Sequence, residues 1–393
     1  MLKILACHNY YLIRGGEDQS YEDEVQLLRS KGHEVVTYTE NSATITSGMA
    51  VASRLIWSRE TFRKLTEVVR REKPDVVHFT NTFPLISLSG PAAAHGSGVP
   101  VVASMRNYRS LCAGAYFLRD GKVCEKCLGR SGTLPAIIHK CYRESRLSSI
   151  ALAGVIAWQR TTKQWERQID IFYTPSDFAR AKLIQGGFPS ERILVKPNFV
   201  QNDPAPGSGE GGFALFAGRL SPEKGLDVIL SAWKSDSTLP PLRIVGEGPL
   251  ESVAVKAAGQ DSRIRYLGKL SHAQLLDEMG QAACLLMTSI WYETFGRTMV
   301  EAYSKSTPVI ASNMGCMAEL VQDGKTGFLF EPGNSKALGD AIHKYLSQPE
   351  LVPDFRNQCR QIFEAKYMPE RNYELLKHIY QTAIDFRKSN SQS

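Results

Sequence analysis

No apolar run in this 393-residue chain approaches the ~20 residues that a membrane-spanning helix needs. The longest, Ile150 to Trp158, has nine residues and is interrupted by Gly154. The opening Met1-Leu2-Lys3-Ile4-Leu5-Ala6-Cys7 runs straight into polar His8-Asn9 and is too short for a signal peptide. It reads as a first β-strand, and a cytoplasmic chain is expected. No strand-like stretch is followed by Gly-x-Gly-x-x-Gly, so the dinucleotide fingerprint of a nicotinamide dehydrogenase is missing. The eight cysteines lack a secretory context, which points to thiols or metal ligands rather than a disulfide framework. Neither sign of charge dominates the whole chain, with 47 basic and 40 acidic residues and a net of +7.

The charge is unevenly placed. Residues 1–105 are balanced, 197–393 carry a net of −2, and 106–196 hold 16 basic against 7 acidic side chains. Such a field suits an anionic membrane surface or a phosphorylated substrate; solvated cations on a helical surface are the alternative. Nucleic-acid binding would rest on charge alone and is not expected. With 43% hydrophobic residues the chain can bury two ordinary cores. Strand-like segments (Lys3–Cys7, Glu34–Tyr38, Val76–Phe79, Val99–Ser104) alternate with helical ones, as at Ser20–Lys31 and Glu60–Glu72. The same grammar recurs at Phe213–Gly218, Leu242–Gly246, Ile264–Gly268, Cys284–Met287 and Pro308–Ala311. Strands separated by helices give βαβ units and a parallel sheet. Gln201 to Gly212, rich in Pro, Gly and polar residues, reads as a linker or hinge. Two doubly wound α/β domains are therefore expected, with ligands outside the carboxyl ends of the strands, in the cleft between them.

Two segments of the second half converge on a diphosphate. Gly218-Arg219-Leu220-Ser221-Pro222-Glu223-Lys224-Gly225 leads from a strand end into a helix and places a guanidinium and an ammonium five residues apart. Both can reach one pyrophosphate, although a pair of surface cations near a turn is the plainer reading. In Tyr292-Glu293-Thr294-Phe295-Gly296-Arg297, a polar loop precedes a helix starting near Arg297, whose first N–H groups make an anion site. Glu293 and Glu301 can face the same ligand, each accepting from vicinal sugar hydroxyls; Glu301 could equally serve its own helix start.

Taken in order, Gly-Arg-Leu-Ser-Pro-Glu-Lys-Gly, Gly-Glu-Gly-Pro (from Gly246), Glu-Thr-Phe-Gly with Glu301, Pro-Val-Ile-Ala-Ser (from Pro308) and Asp-Gly-Lys-Thr-Gly-Phe-Leu (from Asp323) resemble the retaining GT-B glycosyltransferases of family 4, the glycosyl transferases group 1. Arg14-Gly15-Gly16-Glu17 and Lys31-Gly32-His33-Glu34-Val35 extend the likeness to the first domain. The resemblance implies a GT-B fold, two Rossmann-like domains facing across a cleft: residues 1–200 with a Cys-rich insertion at 106–145, residues 201–370, and a helix over 371–393 crossing back to the first domain. It implies transfer of a sugar from a nucleotide-diphosphate donor, UDP- or GDP-linked, to a glycan or lipid-linked acceptor, with retention and no catalytic metal. A peripheral contact with the inner membrane face follows from the basic stretch. Arg219, Lys224 and Glu293 would be catalytic. Gly15, Gly16, Gly246, Thr294, Phe295, Gly296 and Glu301 would bind the donor. Where many relatives carry a His after the fourth strand, this chain has Arg106, which could hold an anionic group of donor or acceptor instead. A non-catalytic relative that binds nucleotide sugar or glycan is the alternative.

Cys112, Cys124, Cys127 and Cys141 fall in a C-x11-C-x2-C-x13-C pattern. Four thiolates in a segment with little hydrophobic periodicity suit a structural tetrahedral zinc; separate thiols or a Cys124/Cys127 redox pair are the alternatives. Cys7 and Cys284, on strands, read as small core residues.

Overall fold

The computed structural model describes residues 1–45, 54–129 and 132–390. The chain divides into two units, the first comprising residues 1–116, 125–197 and 372–393, the second 117–124 and 198–371. Each carries one six-stranded sheet whose strand pairings, among the described residues, are all parallel.

The strands in chain order are β1 (Lys3–Tyr10), β2 (Glu34–Asn41), β3 (Val76–Asn81), β4 (Val101–Ser104), the short pair β5 (Leu118–Arg119) and β6 (Lys122–Val123), β7 (Ile171–Thr174) and β8 (Ile193–Val195). The second unit adds β9 (Ala214–Ala217), β10 (Leu242–Val245), β11 (Ile264–Gly268), β12 (Cys284–Met287), β13 (Val309–Ser312) and β14 (Gly327–Phe330). The orders are β2-β1-β3-β4-β7-β8 and β11-β10-β9-β12-β13-β14. Both place the first strand of the unit inside the sheet, so the chain winds outward in both directions, the GT-B arrangement of doubly wound layers. Central strands such as Cys284–Met287 are buried at every position, as parallel strands covered on both faces must be.

Two expectations need correction. The first strand does not stop at Cys7. It continues to Tyr10 with its polar residues held by buried partners: His8 Nε2 bonds Asp18 at 2.8 Å, and Asn9 Oδ1 accepts from the Leu85 N–H. The Gln201–Gly212 stretch is not a free linker either. Arg360 donates to the Pro204 carbonyl and to Asp203, Lys305 to the Ala205 carbonyl, and Gly207 lies so close to Gly280 that a Cβ would meet its carbonyl oxygen at 2.1 Å. Strands β7 and β8, absent from the sequence reading, complete the first sheet.

The first core joins Ile4, Ala6, Val76, Val102 and Ile171 to Leu376, Ile379, Tyr380 and Ala383 of the last helix, Pro369–Asn390. The second gathers Phe216, Ile244, Leu286 and Ile310 around Trp233, whose indole N–H reaches the Pro240 carbonyl. Among the described residues no helix is long and apolar enough to cross a membrane.

Candidate functional site

In the second unit the loops after β9 and β10 are stitched together. The Gly218 N–H donates to the Val245 carbonyl and the Leu220 N–H to the Glu247 carbonyl. Gly246, at φ +137°, packs so tightly that a Cβ would lie 1.9 Å from the Gly218 oxygen. That fit serves the backbone of the adjoining loop, so any side chain at Gly246 would break it. Gly225 is similarly required: its φ is +71° and its missing Cβ would strike the Thr288 carbonyl at 2.1 Å, while the Thr288 hydroxyl donates to Lys224 or Gly225 carbonyl oxygen. The turn that carries Lys224 is thus locked to the end of β12.

The charged groups on this frame differ in their commitments. Lys224 Nζ meets Glu293 Oε1 at 2.5 Å, and the same carboxylate accepts from the Ser289 hydroxyl at 2.7 Å and the Trp291 indole N–H at 3.2 Å. Glu293 is buried, whereas a quarter of the lysine side chain stays exposed. Arg219 is exposed and, among the described residues, has no hydrogen-bonded or ionic side-chain partner. Glu301, buried in the first turns of the helix Arg297–Ser304, accepts from Arg297 Nε at 3.1 Å and lies 3.3 Å from His272 Nε2. Phe295 packs its ring against Tyr367, leaving its backbone for other contacts, and Gly296 is the N-cap. The first N–H groups of that helix have no intrahelical acceptor. The hairpin β5–β6 belongs to this unit, and the Phe117 ring before it sits edge-on to Tyr292, beside Glu293.

The first unit holds the other expected residues. Gly15 and Gly16 open the helix Gly16–Ser30; the Gly15 N–H donates to Asp18, and a Cβ on either glycine would meet nothing within 4 Å. Arg106 lines a cavity of about 70 Å³ together with Phe83, Ser104, Arg109, Ser110 and Val155. Its guanidinium, however, is engaged by Glu24 at 2.6 Å, inside a buried cluster that also includes Lys196 (2.5 Å to the same carboxylate), Tyr173 and His78. Burial would raise the Glu24 carboxyl, but Lys196 and Arg106 outweigh it and hold it at about 2. Burial pushes Lys196 down to about 8 and His78 down to about 4, so the imidazole between the Tyr173 and Tyr380 hydroxyls is neutral at pH 7. Arg106 therefore spends its charge within the scaffold. Arg109, which sequence reasoning passed over three positions later, lies over the Phe83 ring at 3.9 Å, and among the described residues its buried Nε and the Ser110 hydroxyl in the same lining have no hydrogen-bond partner. Glu17 faces this lining too, its carboxyl raised by burial and accepting from the Tyr11 hydroxyl.

The zinc expectation is corrected. Among the described residues no three His, Cys, Asp or Glu side chains converge to hold a metal, at Cys112, Cys124, Cys127 and Cys141 or elsewhere. Order in this segment comes instead from Arg160, whose guanidinium donates to the carbonyls of Ser110, Leu111 and Cys127, and from the packing of Cys127 and Cys141 on Ala136, Leu152 and Ile156.

Two family descriptions match successive parts of the chain, Glycosyltransferase Family 4 over residues 14–203 and Glycosyl transferases group 1 over residues 202–362. The chain belongs to the family 4 glycosyltransferases. Among relatives of this family, it is 30% identical over 214 residues to a phosphatidyl-myo-inositol mannosyltransferase of Mycobacterium leprae, a match covering 51% of this chain and 55% of that one. The chain thus spans about half the length of the first curated relatives it matches. A protein of the same name from Mycolicibacterium smegmatis is 23% identical over 88% of this chain and 85% of its own. The fold is shared with sucrose-phosphate synthase from Thermosynechococcus elongatus (TM-score 0.72, 16% identity, 96% of this chain and 98% of that) and with Anabaena HepE in complex with UDP-glucose (TM-score 0.67, 17% identity, 97% and 100%).

Proposed function

We propose that this family 4 member transfers a sugar from a nucleotide-diphosphate donor to an acceptor hydroxyl, with retention and without a catalytic metal. The observation that carries this reading is Arg219, an exposed cation with no side-chain partner among the described residues, five positions before the Lys224 that pairs with Glu293, on loops locked by Gly225 and Gly246. As the anomeric C–O bond breaks, its electron pair leaves with the diphosphate, the acceptor oxygen bonds to the anomeric carbon, and the hydroxyl proton is released. Negative charge thus builds on the diphosphate while the sugar becomes cationic. Arg219 and Lys224, together with the amides at Thr294, Phe295 and Gly296, stabilise the leaving group, an effect worth about 3–4 kcal/mol per well-placed donor. Glu293 contacts the donor sugar and Glu301 the ribose hydroxyls.

UDP-sugar is the favoured donor class, since HepE is described with UDP and UDP-glucose. The acceptor is assigned to the first-unit cavity, where Arg109 and Ser110 offer hydrogen-bonding groups without a partner among the described residues; Arg106 is a positioning residue that holds the cavity wall through Glu24. Purified protein is expected to hydrolyse one nucleotide sugar slowly without acceptor and to lose that activity on Arg219→Ala. Binding of nucleotide without any donor turnover would favour the non-catalytic alternative.

A further inference from the structure

The helix Arg146–Thr161 is apolar on two faces, and only one of them is covered. Leu152, Val155 and Ile156 face inward and line the cavity already described. Between Leu147 and Trp158 the exposed positions are Leu147, Ile150, Ala151, Gly154 and Trp158, all apolar and spaced so that they fall along one side of the helix. Leu147 is 81% exposed, Ile150 46% and Trp158 38%. The short helix Leu134–Ile138 packs beside it through Ala136 and Ala153, and exposes Leu134 (62%) and Ile138 (57%). A face of this kind is unusual on a protein that meets only water.

The charges around it are predominantly positive. Lys140, Arg143 and Arg146 are exposed before the stripe and Lys163 and Arg167 after it, against Glu144 and the half-buried Glu166. Arg146 is moreover in the first turn of its helix, which holds no acid, and there the helix dipole disfavours a cation. A basic fringe around an apolar stripe, with a tryptophan near its end, matches the interface of an anionic bilayer and not a second, equally basic copy of the same face.

The geometry points to this face, residues 134–163, as the site where the protein docks on an anionic lipid surface. The docking stands independently of the transfer reading. Combined with that reading, it makes the acceptor lipid-borne, because the same helix walls the acceptor cavity with its inner side.

The test is sedimentation of the full chain with phosphatidylcholine vesicles containing or lacking phosphatidylglycerol, alongside light scattering in solution. Binding is expected only with the anionic lipid and is expected to weaken with salt. Leu147→Glu/Ile150→Glu should lower vesicle affinity at least about tenfold. Arg143→Glu/Arg146→Glu should lower it about fivefold or more per cation, while the acid placed at the helix start favours the fold. Thermal midpoints and acceptor-free donor hydrolysis should stay at the parent level, which separates failure of docking from failure of the transfer reading. The proposal is overturned if the parent protein ignores anionic vesicles, if both double variants bind like it, or if the parent is a dimer that Leu147→Glu/Ile150→Glu dissociates.

Discussion

Two clusters of charge, one in each unit, look alike in sequence and differ in structure. In the first unit Arg106 and Lys196 converge on Glu24, all three buried, with the neutral His78 linked through Tyr173. In the second, Lys224 is paired with Glu293 but partly exposed, and Arg219 has no side-chain partner among the described residues. A buried cation ion-paired to a buried carboxylate belongs to the scaffold, since removing either member strands a charge in a poorly solvating interior. A cation held on a rigid turn with its pairing unfinished is available to a ligand. Sequence reasoning singled out Arg106 and Arg219 as cations of the same kind, and the structure separates them.

The sharpest way to break this contrast is to remove one member of each cluster and read both stability and turnover. Glu24→Gln leaves Arg106 and Lys196 without their counter-charge and should cost about 3–5 kcal/mol of stability, measured by urea unfolding. Arg219→Ala should lower donor turnover by about 10²–10³ while shifting stability by no more than about 0.5 kcal/mol. The contrast fails if the two variants exchange these signatures.

A second prediction concerns pH. The His78 pKa is lowered from 6.5 to about 4 by burial, so the unfolded chain binds more protons between these values. Stability from this group is complete above pH 6.5 and is lost as pH falls towards 4. Glu24, lowered from 4.5 to about 2, adds a further loss below pH 4.5. Unfolding midpoints followed from pH 7.5 downwards should therefore fall in two stages, and His78→Gln should flatten the first.

Smaller effects are expected nearer the ligands. Glu301→Ala should weaken nucleotide binding by about tenfold, the worth of a charge-assisted hydrogen bond pair at its lower end. Arg109→Gln should leave acceptor-free donor hydrolysis unchanged and raise the acceptor KM by a factor of a few, which steady-state kinetics with a glycan or lipid acceptor would read.

Much of the fold was legible because local signals and global burial agree. Strands such as Cys284–Met287 and Val309–Ser312 are continuous apolar runs or nearly so, as doubly covered parallel strands require, and the motif order marked the second unit's loops. Legibility ended where tertiary partners override local chemistry. His8 and Asn9 look like a strand end until Asp18 and the Leu85 N–H are supplied. Arg160 gave no sign that it would gather three carbonyls, so four cysteines in an aperiodic stretch suggested a metal in its place. Arg106 and Arg109 differ by three positions in one loop, and nothing local shows that Glu24 satisfies the first while Phe83 merely underlies the second. The outer face of Arg146–Thr161 was visible only as a nine-residue apolar run, because exposure depends on which side of the helix the core covers.

The account rests most directly on Arg219 and Lys224 as the diphosphate site. Calorimetric titration of UDP, GDP, ADP and dTDP into the parent protein, Arg219→Ala and Lys224→Ala is the decisive measurement. The account predicts binding of one nucleotide diphosphate, weakened at least about tenfold by either substitution, with the unfolding midpoint of Arg219→Ala unchanged. Equal affinity in all three proteins, or no binding of any nucleotide to the parent, would contradict it.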